Sequence, residues 1–136
     1  MLIDIDPDSE SPLYQQLRDQ VVRAIADGTL QPGDGLASVR QLAVQFGINS
    51  ATVGKGYELL RQEGFVRTSR RSGSVVARGP ADDPAPGFAG EWTERLRTLL
   101  AEAVAQGMPD DAIRTATDSV LAGFSAHRTD RRKSSS

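Results

Sequence analysis

The sequence predicts an α+β fold: three helices closed by a two-stranded hairpin, then a linker and a pair of helices. Three observations carry this. Apolar residues recur at helical spacing as far as residue 63, and between residues 65 and 77 the pattern changes to short β-prone runs. Residues 78–90 then hold three prolines and three glycines, a density of breakers that reads as a linker before two further amphipathic stretches.

The first helix opens at Ser11-Pro12, a capping residue followed by the residue best tolerated at the first helical position. Leu13, Leu17, Val21 and Ile25 form its apolar stripe, and Gly28 stops it. The turn cluster Leu30-Gln31-Pro32-Gly33-Asp34-Gly35 has room for a short strand at most. Ser38-Val39-Arg40-Gln41 fits a capping box, in which Ser and a Gln three residues on satisfy each other's backbone donors. It opens a short second helix with Leu42, Ala43 and Phe46 facing inward and Gly47 at its end. Ile48-Asn49 makes a tight connection, Asn49 supplies a cap, and a third helix runs from about Ser50 to Glu63 with Val53, Tyr57 and Leu60 inward. After Gly64, Phe65–Thr68 and Gly73–Ala77 flank the basic turn Ser69-Arg70-Arg71-Ser72 as a hairpin.

Composition narrows the function. The 136 residues are 38% hydrophobic and 25% charged, as in an ordinary globular protein, which excludes collagen, a disulfide scaffold and a wholly disordered chain. There is no cysteine, so disulfides, thiolate catalysis and zinc–sulfur sites are excluded. The single histidine, His127, stands in a polar stretch with Arg128, Arg131 and Arg132, which opposes a His-built zinc site or a Ser–His relay. Asp4, Asp6, Asp8 and Glu10 alternate without an EF-hand pattern and read as solvated rather than metal-binding. That acidic start is unlike a signal peptide, and no apolar run approaches the roughly 20 residues of a membrane span. These features point to a cytoplasmic protein that is no enzyme, with no metal or cofactor, and no residue pattern names a small-molecule effector.

Two short helices joined by a Gly-containing turn form a helix-turn-helix. Here Ala43 is the small contact between helices, Gly47 the left-handed turn residue, Ile48 the plug and Val53 the anchor of the second helix. By itself the pattern also fits a plain three-helix core. The basic hairpin directly after it makes the layout a winged helix.

The run of residues 11–77 resembles the winged-helix domain of GntR-type bacterial transcription regulators. The resemblance rests on Gly28-Thr29-Leu30-Gln31-Pro32-Gly33-Asp34, on Ser38-Val39-Arg40-Gln41-Leu42-Ala43, on Thr52-Val53, on Glu63-Gly64-Phe65-Val66 and on Gly73, all in order and at family spacing. The short stretch after the linker is similar to the YtrA-type branch, whose two helices there serve dimerisation. Larger branches carry a ligand-binding domain that this stretch is too short to hold. The resemblance implies DNA contacts by Ser38 and Arg40 at the start of the second helix and by Asn49, Ser50, Ala51, Thr52 and Lys55 on the recognition helix. It further implies contacts by Arg70, Arg71 and Gly73 in the wing. Arginines that many relatives carry in the recognition helix are replaced here by Ser50 and Gly54, which shifts base readout onto Asn49, Ser50, Ala51, Thr52 and Lys55.

The expected organisation is therefore an N-terminal winged helix-turn-helix over residues 1–77, a linker at 78–90, a two-helix hairpin at 91–124 and a flexible tail at 125–136. In the hairpin, Trp92, Leu96, Leu99, Leu100 and Val104 line one helix and Ile113, Val120, Leu121 and Phe124 the other, with Gly107-Met108-Pro109-Asp110 between. A unit this small cannot bury both stripes alone. It covers the winged helix or pairs with a second copy, and the resemblance favours a homodimer on a palindromic duplex. The expected function is a DNA-binding regulator, a repressor; the rival is a winged helix serving protein–protein contact alone. The formal net charge of −2 hides a division: residues 11–79 carry nine bases and five acids, between two acidic flanks.

Overall fold

The computed structural model describes residues 3–135, with side chains described as far as Arg128. The elements follow in the order α1 (Leu13–Ala26), α2 (Val39–Phe46), α3 (Ser50–Gln62), β1 (Val66–Ser69), β2 (Gly73–Val76), α4 (Phe88–Ala105) and α5 (Asp110–Ser135). The α+β winged helix-turn-helix followed by a helical hairpin is thus the architecture found.

The periodic stripes become the core. Leu17, Val21 and Ile25 of α1 meet Leu42 and Ala43 of α2, Val53, Tyr57 and Leu60 of α3, and Val66 and Val76 of the hairpin. Helix α2 is opened by the capping box: Ser38 Oγ accepts from Gln41 N at 3.0 Å, and Gln41 Oε1 accepts from Ser38 N at 2.9 Å. Gly47 ends it at φ 63°, a left-handed conformation that turns the chain directly into α3. The hairpin is antiparallel, with Val66 opposite Val76 and Ser69 opposite Gly73. The turn cluster lies along β2 as a partial third strand: Gly35 bridges to Val75, and Leu36 N donates to Ser74 O at 2.8 Å.

The ends of elements differ from the sequence expectation at several points. Pro12, not Ser11, stands at the N-cap of α1, because helical bonding begins at the Pro12 carbonyl, which accepts from Gln15 N and Gln16 N. Ser11 contributes its carbonyl to Gln16 Nε2 at 2.9 Å. The expected linker ends early, since α4 begins at Phe88 after a left-handed Gly87. Pro86 is the last true breaker; Gly90 sits inside α4, where glycine costs about 1 kcal/mol without preventing a helix.

The stretch expected to be a flexible tail is helical through Ser135, and residue 136 lies outside the described residues. Part of the reason is visible at Arg128. Its Nη1 donates to the Ala26 carbonyl at the end of α1 at 3.1 Å, tying α5 back to the winged helix where a helix C-terminus favours a cation.

The acidic N-terminal segment has a structural use. Gln16 and Gln20, one turn apart on α1, each accept from and donate to a single backbone residue, Asp6 and Asp4 respectively. Two side-chain amides thereby imitate a sheet edge, and the segment they hold buries Ile3 in the core. Among the described residues no helix is long and apolar enough to cross a membrane.

Candidate nucleic-acid interface

Helix α3 has two faces. Val53, Gly56, Tyr57 and Leu60 are buried. Ser50, Ala51, Lys55 and Glu58 are exposed, with Thr52 and Gly54 half-buried between them. The helix thus turns a short polar surface outward while its apolar residues fix it to α1 and α2. Close approach to α1 depends on Gly56: a Cβ there would stand 3.1 Å from both Leu17 Cδ2 and the Tyr14 carbonyl oxygen.

Asn49 caps α3. Its Oδ1 accepts from Ala51 N at 2.8 Å, which commits the acceptor half of the side-chain amide of an exposed residue. Ser38 is committed in the same way by the capping box, so both residues act first as the start signals of their helices. Arg40, on the first turn of α2, is exposed.

At the wing, Ser69 Oγ accepts from the backbone N–H groups of Arg71 and Ser72, at 3.3 and 3.4 Å. Gly73 closes the turn at φ 69°, where a side chain would be strained. Arg70 and Arg71 are left exposed on this tip. Arg67, a cation not singled out in the sequence, is exposed on β1 next to buried Val66, and Thr68 after it is exposed as well.

Charge pairing sorts the basic residues. Arg18 holds Glu63 with two bonds, Nε–Oε1 at 2.9 Å and Nη2–Oε2 at 2.5 Å, and also reaches Asp19 at 3.0 Å. The Glu63 bond is the main reason the Arg18 pKa is raised, against the lowering effect of burial. Arg61 pairs with Glu58 at 2.9 Å. Asp27 and Asp34 accept from the backbone N–H groups of Thr29 and Gln31. All five acids of residues 11–79 are thereby engaged. Among the described residues the exposed cations Arg23, Arg40, Lys55, Arg67, Arg70 and Arg71 make no ion pair. Lys55 has a different partner, missed in the sequence: its Nζ lies 4.0 Å from the centroid of the Tyr14 ring. Two residues from separate helices gave no spacing signal.

The C-terminal residues fall in two groups. Leu96, Ile113 and Phe124 are half-buried, whereas Trp92, Leu99, Leu100, Val104, Val120 and Leu121 are exposed, Leu99 at 61% and Val120 and Leu121 at 59% each. No grouping of three His, Asp or Glu side chains able to hold a metal occurs among the described residues.

Comparison with known proteins agrees with this geometry. Residues 13–76 match the family described as "Bacterial regulatory proteins, gntR family". The chain is 34% identical over 102 residues to the HTH-type transcriptional repressor YtrA of Bacillus subtilis, covering 75% of this chain and 78% of that one. A solved YtrA structure from Sulfolobus acidocaldarius, a GntR-family transcription factor, is 36% identical and superposes with a TM-score of 0.61, covering 77% of this chain and 99% of its own. The fold alone is shared with a Listeria monocytogenes protein titled a transcriptional antiterminator, at 24% identity, a TM-score of 0.80, and 88% and 90% coverage. With its helix-turn-helix, its wing and two C-terminal helices, the chain belongs to the gntR family of bacterial DNA-binding transcription regulators, in the short YtrA-like form.

Proposed function

We propose that this protein is a homodimeric repressor that binds a palindromic operator. The observation that carries the reading is the set of exposed cations without ion-pair partners on the recognition elements: Arg40 on α2, Lys55 on α3, and Arg67, Arg70 and Arg71 on the wing (Arg23 on α1 is a further one), while the acids of the same domain are engaged elsewhere. Guanidinium and ammonium groups suit phosphate, and the exposed start of α3 offers Asn49 Nδ2, Ser50, Ala51 and Thr52 to base edges in a major groove. Gly73 shapes the wing that carries Arg70 and Arg71, and Ser38 presents Arg40. Likeness to a protein named a repressor supports repression rather than activation.

Dimerisation is supported by the exposed apolar side chains of α4 and α5, which a second copy would cover. Two-fold pairing presents two recognition helices to two half-sites, hence a palindrome. Such a protein works in the cytoplasm, where the DNA is.

The test selects duplexes from a randomised pool and follows binding by fluorescence anisotropy between about 50 and 200 mM salt. The expected result is a palindromic consensus, a steep salt slope of roughly 0.9 per phosphate contacted, and two chains per duplex. Absence of any sequence-selective, salt-dependent binding would overturn the reading in favour of a protein-contact module.

A further inference from the structure

We propose that Tyr14 is a positioning residue of the DNA interface, whose ring holds the Lys55 ammonium at the seam between α1 and α3 so that it meets a phosphate rather than a base edge. The inference rests on α3 being the DNA-reading helix, and it adds a residue from outside the helix-turn-helix to the site.

The geometry begins at Gly56. Without a side chain there, the first turn of α1 comes against α3, the Tyr14 carbonyl lying 3.1 Å from where a Cβ would be. Lys55, the neighbour of Gly56, is exposed, and the same close approach puts its Nζ 4.0 Å from the Tyr14 ring centroid. That is well inside the roughly 6 Å over which an aromatic face attracts a cation.

No carboxylate competes for Lys55. Glu58, one turn on, is bound by Arg61 at 3.1 and 2.9 Å, and Lys55 forms no ion pair among the described residues. A lysine ammonium on a free four-carbon stem samples many rotamers. Over the ring its position is restricted, and its ammonium is held against α1 at one edge of the outward surface of α3. A charge held at the edge of the reading face and next to a second helix is placed for the duplex backbone, and its restriction before binding reduces the ordering cost of the contact.

The experiment uses the full chain and the palindromic duplex that the wild type selects from a randomised pool. Binding is measured across a salt series for Y14L, Y14F, K55M and the double variant Y14L/K55M. The expected results are a two- to fivefold weaker Kd for Y14L, near wild-type binding for Y14F, and a salt slope lowered by about 0.9 for K55M. Y14L is expected to add nothing in the K55M background. Four outcomes would overturn the proposal: Y14L binding like or better than wild type, Y14F losing as much as Y14L, Y14L costing as much without Lys55 as with it, or K55M altering base preference with the salt slope unchanged. Should Y14L fail to fold, the Lys55 Hε resonances of the free wild type decide: a ring-induced upfield shift supports the contact, and random-coil positions refute it. Wild type that binds no duplex selectively would show, before any variant is made, that the DNA reading itself has failed.

Discussion

Gly54 and Gly56 stand two residues apart on one helix and are there for different reasons. A Cβ at Gly56 would press on Leu17 and on the backbone carbonyl of Tyr14. Gly56→Ala is expected to lose about 1–3 kcal/mol to overpacking despite the better helix former. A Cβ at Gly54 meets nothing within 4 Å. Gly54→Ala should therefore gain about 0.8–1 kcal/mol in urea denaturation, the ordinary helix preference for alanine. If Gly54 lets the backbone approach DNA, that same variant binds the operator no better than wild type; tighter binding at unchanged stability would contradict it. Tyr57 gives a pH prediction. Its hydroxyl donates to the Ala37 carbonyl, and burial raises its pKa from 10.0 to about 12. Between those values the unfolded chain loses a proton that the fold retains. The contribution is complete below pH 10 and falls, on the order of 1 kcal/mol per pH unit, as pH rises toward 12. Tyr57→Phe should cost about 0.5–1.5 kcal/mol at neutral pH and lack this contribution to the alkaline decline. Parallel urea curves for the two proteins from neutral pH to 12 would show the effect absent.

At the scale of elements, what was legible followed local rules. The stripes of α1 and α3, the capping box at Ser38, the Asn49 cap and the left-handed Gly47 are properties of a few neighbouring residues, and the structure has each of them. Two boundaries were misplaced where breaker counting or polarity stood in for structure, at Phe88 and beyond residue 124. The N-terminal segment on Gln16 and Gln20 and the Lys55–Tyr14 contact were illegible, because each joins residues far apart in sequence whose types are unremarkable singly. The clearest such junction is Arg18 on α1 with Glu63 at the end of α3, beside the Phe65 ring. Its charge-assisted pair locks the two helices at the point where the chain enters the wing. Glu63→Gln should cost about 1–2 kcal/mol, toward the lower end for a hydrogen bond to a charged group. In a double-mutant cycle with Arg18→Met the losses should fall short of additive. Strict additivity in guanidinium denaturation would mean the two residues act separately.

For the whole molecule, the balance of charge and the exposed apolar surface lead to one argument. The winged helix engages its acids internally and leaves six cations exposed without ion pairs, Arg23 on α1 besides the five on α2, α3 and the wing, so a single copy has few phosphate contacts with which to hold DNA. The helical hairpin meanwhile leaves Leu99, Val120 and Leu121 more than half exposed. The proposed dimer would resolve both at once: a second copy would cover the apolar residues, and would double the cations on one duplex through an effective concentration instead of stronger contacts. The double substitution Leu99→Glu with Leu121→Glu separates these roles, because both side chains are exposed and neither belongs to the winged-helix core. The variant should keep its helical circular dichroism and its thermal transition for the winged helix, and run as a monomer by light scattering. Its affinity for a palindromic duplex should fall at least about 100-fold, the gain that linking two sites confers, while affinity for an isolated half-site stays that of the wild-type protein. A monomeric variant that still bound the palindrome at full strength would place all recognition in one winged helix. A wild type already monomeric at micromolar concentration would leave the apolar residues of α4 and α5 to some other partner.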